Sequence, residues 1–203
     1  EQGYRGGLWK KSKLVGIKAP VFSMSKLTGV DNYLGPEMKS TGEVMGIDFD
    51  FPGALTKALM ASGLMLSPHG SMLLSIADRD KAEAVPLVKR LHEMEYSLYA
   101  TEGTAAMIAA LGMPVKMVTK KLSEGHPNVL DVIRDGSVKA VVNTITGGRL
   151  ALKDGFSIRR AAVERRIPCY TSLDTLKVVL DAVSAAGRPY NVESMATYLK
   201  RKK

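Results

Sequence analysis

Cysteine is nearly absent from this chain: its 203 residues hold one, Cys169, so no internal disulfide can form and stability has to come from a packed core. Histidine is scarce as well. His69, His92 and His126 stand far apart without paired ligand spacing, which argues against a metal centre. Aromatic residues make up 6% of the chain and no basic stretch is interleaved with them, so a stacking platform for single-stranded nucleic acid is not supported. Long hydrophobic runs are missing too. The longest weakly polar run, residues 105–115, falls well short of the roughly 18 apolar residues that cross a bilayer, and no charged-then-apolar leader opens the chain. These absences lead us to expect a protein of the reducing cytoplasm, without membrane or nucleic-acid partners.

What remains is ordinary globular composition, 45% apolar and 24% charged, at a length that suits one substantial domain with a smaller attachment. The net charge of +9 points towards anions, but its distribution matters. The last four residues, Lys200, Arg201, Lys202 and Lys203, supply +4 of it, leaving a modest excess on the rest.

The first 48 or so residues are rich in Gly and turn formers and read as strands, over 14–17 and 19–22, with too few apolar groups to fold alone. They look like the trailing edge of another domain. At Asp50 the pattern changes to an N-cap, Pro52 in the first turn, the apolar set Ala54, Leu55, Ala58 and Leu59, and Gly63 as a stop, which predicts a connecting helix. From Ser71 onwards short apolar runs alternate with amphipathic ones. Strands are predicted over 72–76, 97–100, 115–118, 140–144 and 168–171, and helices over 81–94, 105–111, 129–135, 158–165 and 175–185. Such alternation implies an α/β fold, a five-stranded mainly parallel sheet in three α/β/α layers, because each parallel crossover needs a helix. Pro86 requires the first of these helices either to begin near Ala84 or to kink. A short last helix is expected around 192–199.

In such a sheet, ligands bind beyond the carboxyl ends of the strands, where loops enter helix N-termini. Three loops there share one chemistry. Thr101-Glu102-Gly103-Thr104 offers two hydroxyls around a glycine, Lys120 and Lys121 follow the third strand, and Asn143-Thr144-Ile145-Thr146-Gly147-Gly148 follows the fourth. Hydroxyls, an amide, glycines and cations suit a phosphorylated, sugar-bearing ligand, although Thr, Gly and Asn also make ordinary turns and caps. Glu102 reads as a solvated loop carboxylate or a general base, Cys169 as a small core residue and His126 as a turn residue. The eleven methionines read as core filling. Arg159, Arg160, Arg165 and Arg166 read as a solvated helix face, with an oligomer contact as the alternative.

The run Leu34-Gly35-Pro36-Glu37-Met38-Lys39-Ser40-Thr41-Gly42-Glu43-Val44-Met45-Gly46, followed about 55 residues later by Ala-Thr-Glu-Gly-Thr-Ala, resembles the C-terminal end of the large chain of bacterial carbamoyl phosphate synthetase. By this resemblance residues 1–48 are the remnant of the second ATP-grasp unit and 49–66 a connecting helix. Residues 67–187 are then an allosteric domain similar to methylglyoxal synthase in fold, and 188–203 a tail. The family makes carbamoyl phosphate from bicarbonate, glutamine-derived ammonia and two ATP with Mg or Mn, for arginine and pyrimidine synthesis. It works with a small glutaminase subunit and as a homo-oligomer. The resemblance implies that catalytic residues, metal ligands and the ATP pocket lie upstream, so that this segment does not turn over alone and has no cofactor of its own. It further implies an effector site for uridine or inosine monophosphate on Lys81, Thr101, Thr104, Lys120 or Lys121, Asn143 and Thr146. Ornithine, a second effector in enteric members, would contact Tyr170 and Thr171, but Ala19 stands where those members carry a glutamate, which argues against it. Two rivals remain. A free-standing methylglyoxal synthase lacks support because Ser123-Glu124-Gly125-His126-Pro127-Asn128 has no aspartate where that family carries a catalytic one. An oligomerisation module without effector binding is the other.

Overall fold

The computed structural model describes Gly7 and residues 13–21, 42–120, 125–145, 149–185 and 190–201, apart from the side chains of 149–153 and 201. Lys121, Thr146 and residues 34–41 of the family motif lie outside these residues.

Strand β1 (Val15–Val21) pairs antiparallel with β2 (Gly42–Asp48), with Ile17 opposite Gly46. One strand therefore replaces the two expected at 14–17 and 19–22, since Lys18 and Ala19 continue the ladder opposite Met45 and Val44. Helix α1 (Phe51–Ser62) follows and is built as predicted. Asp50 accepts a bond from Gly53 N, Pro52 occupies the first turn, and Gly63 ends the helix at φ 72°, a conformation that glycine adopts without penalty. Ala54 and Ala58 of α1 are small because β2 runs directly against them at Gly46.

The main sheet comprises β3 (Ser71–Ser75), β4 (Ser97–Thr101), β5 (Lys116–Val118), β6 (Ala140–Asn143) and β7 (Cys169–Tyr170). Its order is β5-β4-β3-β6-β7 and every pair is parallel. The crossovers run through α2 (Lys81–Glu93), α3 (Glu102–Ala110), α4 (Val129–Arg134) and α5 (Arg149–Glu164), with α6 (Leu173–Ser184) after β7 and α7 (Met195–Arg201) in the tail. Alternate strand residues face opposite layers, as the two-residue period of a strand demands. Met72 and Leu74 of β3 pack with Val88 and Leu91 of α2 and Leu176 and Leu180 of α6. Leu73 faces the other way, with Ile133 of α4 and Ile158 of α5. The three-layer expectation is met.

Several boundaries differ from the sequence reading. A single 3-10 turn, Asp78–Asp80, leads straight into α2, which therefore starts at Lys81 and carries Pro86 inside it instead of beginning near Ala84. Helix α3 starts at Glu102, three residues early, and α5 at Arg149, nine residues early. The tail helix starts later than expected, at Met195, behind a Ser194 hydroxyl that accepts from Thr197 N. Helix α4 begins where expected: Asn128 and Asp131 bond reciprocally across its first turn, and His126 joins them through Asp131 at 2.5 Å. Methionines fill the core at Met72 and Met113, whereas Met45, Met60, Met117 and Met195 are exposed. Among the described residues no helix is long and apolar enough to cross a membrane.

Candidate functional site

Strands β3 and β6 are neighbours, yet β3 leads into α2 on one face of the sheet and β6 into α5 on the other. Their carboxyl ends diverge, and a crevice opens between them, the usual binding position in an open α/β sheet. A cleft of about 250 Å³ lies there, reached by the turns after β3, β4, β5 and β6. It brings together Lys81, Thr101, Thr104, Lys120 and Asn143 of the sequence-derived set.

The turn after β3 is pinned from both sides. Thr104 Oγ1 accepts from Ile76 N at 3.1 Å, and Thr144 Oγ1 accepts from Ala77 N at 3.0 Å. Two peptide N–H groups left over at the end of the strand are thereby satisfied. Thr104 is 1% exposed, so its hydroxyl is first of all a structural acceptor, a role that spacing alone could not assign. Thr144 was not singled out from the sequence, where it reads as one more loop residue.

Thr101 occupies the N-cap of α3 but makes no capping bond. The first-turn amides are therefore not satisfied by that side chain, and the positive end of the helix dipole faces the cleft. Gly103 lies within this turn and not in a wrapping loop. Its value is room: a Cβ there would stand 3.0 Å from Lys81 Nζ. The Lys81 ammonium thus rests against a helix N-terminus, where like polarity repels, and an anion placed between the two would relieve both. Lys81 meanwhile pairs with Asp78 Oδ1 at 2.7 Å, and Asp78 is 93% exposed. The Lys81 bond and charge, with a smaller share from Lys120, hold the Asp78 carboxyl below its ordinary range. Glu102 is not a free base, since its carboxylate accepts from Lys120 N at 3.1 Å.

Asn143 closes the floor. It is 1% exposed, and its Oδ1 accepts from Nη1 of Arg159, which is itself fully buried. The expectation that Arg159 belongs to a solvated face is overturned; among its neighbours, Arg160 instead pairs with Glu164 along α5 at 2.9 Å. Cys169 is half-buried against the α4–α5 core.

Tyr170 reaches neither this cleft nor the hollow beside it. It is buried, its hydroxyl donates to Leu64 O at 2.6 Å, and burial pushes the phenol well above its ordinary range. Thr171 lines the neighbouring hollow of about 220 Å³, which shares Thr144 and Ile145 with the cleft and carries Arg79, Asp80, Glu83 and Asp174. Among the described residues no group of three or more His, Cys, Asp or Glu side chains is placed to hold a metal ion.

Residues 83–171 match the family model of the MGS-like domain. The chain is 50% identical to the carbamoyl phosphate synthase large chain of Thermomicrobium roseum over 201 residues, 99% of this chain and 19% of that one. It therefore spans about a fifth of the length of this relative. Among solved structures, the methylglyoxal synthase of Elizabethkingia anophelis NUHP1 is similar at a TM-score of 0.46 and 18% identity, over 66% of this chain and 93% of that one. Residues 83–171 thus match an MGS-like domain, and the chain is similar to a carbamoyl phosphate synthase large chain along almost its entire length.

Proposed function

We propose that this chain is the regulatory part of a carbamoyl phosphate synthase large chain and that its cleft binds a nucleoside monophosphate. In this reading residues 1–48 are the end of the ATP-grasp unit, 49–66 a connector, 67–187 the effector domain and 188–203 a tail. Synthesis of carbamoyl phosphate from bicarbonate, glutamine and two ATP takes place in other parts of the enzyme, together with a small glutaminase subunit. A ligand that prefers one state of the enzyme by roughly 1–3 kcal/mol shifts affinity about 5–150-fold, which is enough for control without chemistry in this domain.

The observation that carries the reading is a buried amide, Asn143, on the floor of a cleft whose rim holds the Lys81 and Lys120 cations and the uncapped N-terminus of α3. Donors and positive charge converge there, which suits a phosphate oxygen. Thr101, 5% exposed and free of capping duty, adds a hydroxyl.

The test is a thermal-shift and calorimetric panel of uridine monophosphate, inosine monophosphate and dihydroxyacetone phosphate, because a ligand of the folded state raises its midpoint. Binding of a nucleotide without methylglyoxal release is the expected result. Heat from none of them, or robust release of methylglyoxal, sinks the reading. Substitution separates the two threonines. Thr101→Val is expected to weaken nucleotide binding roughly tenfold while leaving the ligand-free midpoint unchanged, since it removes a donor to a charged group. Thr104→Val is expected to cost about 1–3 kcal/mol of stability, because the buried Ile76 N–H loses its acceptor. Equal melting midpoints for the two variants would contradict this division of roles.

A further inference from the structure

Arg159 is held in the interior at 0% exposure, although a guanidinium loses much hydration there and is retained only where its bonds are well placed. Its Nη1 donates to Asn143 Oδ1 at 2.9 Å. A guanidinium can only donate, so the atom of Asn143 that faces it must be the amide oxygen. That fixes the other fork of the side chain as the NH₂ group. No described side-chain nitrogen or oxygen is both sealed from solvent and without a partner, and Asn143 Nδ2 has no partner among the described residues, so it opens on the cleft that Asn143 lines.

A second feature converges on the same bond. Gly155 lies one turn before Arg159 in α5, an unfavourable residue for a helix interior. A Cβ at 155 would fall 2.6 Å from Arg159 Nη1, 2.7 Å from Ile145 Cδ1 and 3.2 Å from Asn143 Oδ1. The missing side chain is therefore the room in which the guanidinium and the amide oxygen meet.

We propose that Arg159, seated over Gly155, is a positioning residue that turns the Asn143 amide so that its NH₂ group, and not its oxygen, faces the cleft, selecting a phosphate oxygen. The proposal rests on the nucleoside-monophosphate reading of the cleft. A residue of this kind acts on the ligand through Asn143, a coupling that a double-mutant cycle can measure.

The experiment is calorimetry of the 203-residue chain with uridine monophosphate, inosine monophosphate and inorganic phosphate, for wild type, Arg159→Gln, Asn143→Ala and the double variant. Each single variant is expected to bind roughly tenfold more weakly, and Arg159→Gln to cause no further loss once Asn143 is alanine. Should Arg159→Gln not fold, Gly155→Ala keeps the charge and crowds the same bond. It is expected to weaken binding similarly, again without effect in the Asn143→Ala background. If wild type binds and the losses multiply, or if Arg159→Gln binds like wild type, the positioning role is overturned while the site stands. If wild type binds none of the three anions, the site and the role fall together.

Discussion

Gly46→Ala is expected to detach the β1/β2 pair from α1 and to lower stability by about 3 kcal/mol or more, far beyond the effect of a methyl group on a surface strand. The added Cβ would lie 2.0 Å from the Ala54 carbonyl oxygen and 2.6 Å from Ala58 N. Both are backbone atoms of α1, so no rotamer change relieves the clash and the helix must move as a body. Gly42, at the other end of β2, has nothing among the described residues within 4 Å of an added Cβ, and Gly42→Ala provides the control. Chemical denaturation of the two variants, followed by circular dichroism, with hydrogen exchange at the amides of β1, makes the comparison. A Gly46→Ala protein within about 1 kcal/mol of its Gly42→Ala counterpart would show that β2 and α1 are not in register as described.

Gly46 also marks the limit of what a sequence discloses. The alternation of strands and helices from Ser71 onwards could be read directly, because a parallel sheet covered on both faces leaves continuous apolar runs such as Met72-Leu73-Leu74 and Ala140-Val141-Val142, both almost fully buried. The helix cap with its own chemistry at Asp50 was equally plain, whereas the Asn128 cap of α4 emerges only in the structure. What escaped was set by partners distant in the chain. The early start of α5 was hidden because Asp154-Gly155 has the composition of a turn, and the close approach of the Arg159 guanidinium and the Ile145 side chain explains a glycine in mid-helix there. The four arginines at 159, 160, 165 and 166 form one charged cluster in the sequence, and nothing in the period distinguishes the one that is buried. The same holds for the cleft. Its strand-end loops could be found from topology and residue type, but the division of labour between Thr101 and Thr104 depends on which hydroxyl meets the Ile76 peptide.

Asp48→Ala is expected to cost roughly 3–5 kcal/mol, because it strands a cation in a network that ties the C-terminal tail to β2 and α1. Asp48 is 1% exposed and accepts from Phe49 N at 2.7 Å, Asn191 N at 3.1 Å, Asn191 Nδ2 at 2.9 Å and Lys57 Nζ at 2.9 Å. Lys57 also donates to Ile47 O at 2.7 Å and to the Tyr198 hydroxyl at 2.8 Å, and that hydroxyl donates in turn to Asn191 O at 2.8 Å. Burial alone would raise the Asp48 carboxyl, but the bonds from Asn191, Lys57 and Phe49 outweigh it and hold the group at about 2, against an ordinary 3.8. A depressed carboxyl stabilises the fold fully above its unfolded value and loses that contribution as pH falls through the folded one. The pKa difference corresponds to about 2.5 kcal/mol, present at pH 5 and lost progressively below pH 4 towards pH 2. Urea midpoints across that range should fall more steeply for wild type than for Asp48→Asn, and parallel curves would refute the assignment. The network sits on α1, whose Leu55 and Leu59 share a core with Met72 and Leu74 of β3. Loosening this corner therefore reaches the strand whose carboxyl end builds the cleft, and wild type should melt in one cooperative step that includes both the tail and the sheet.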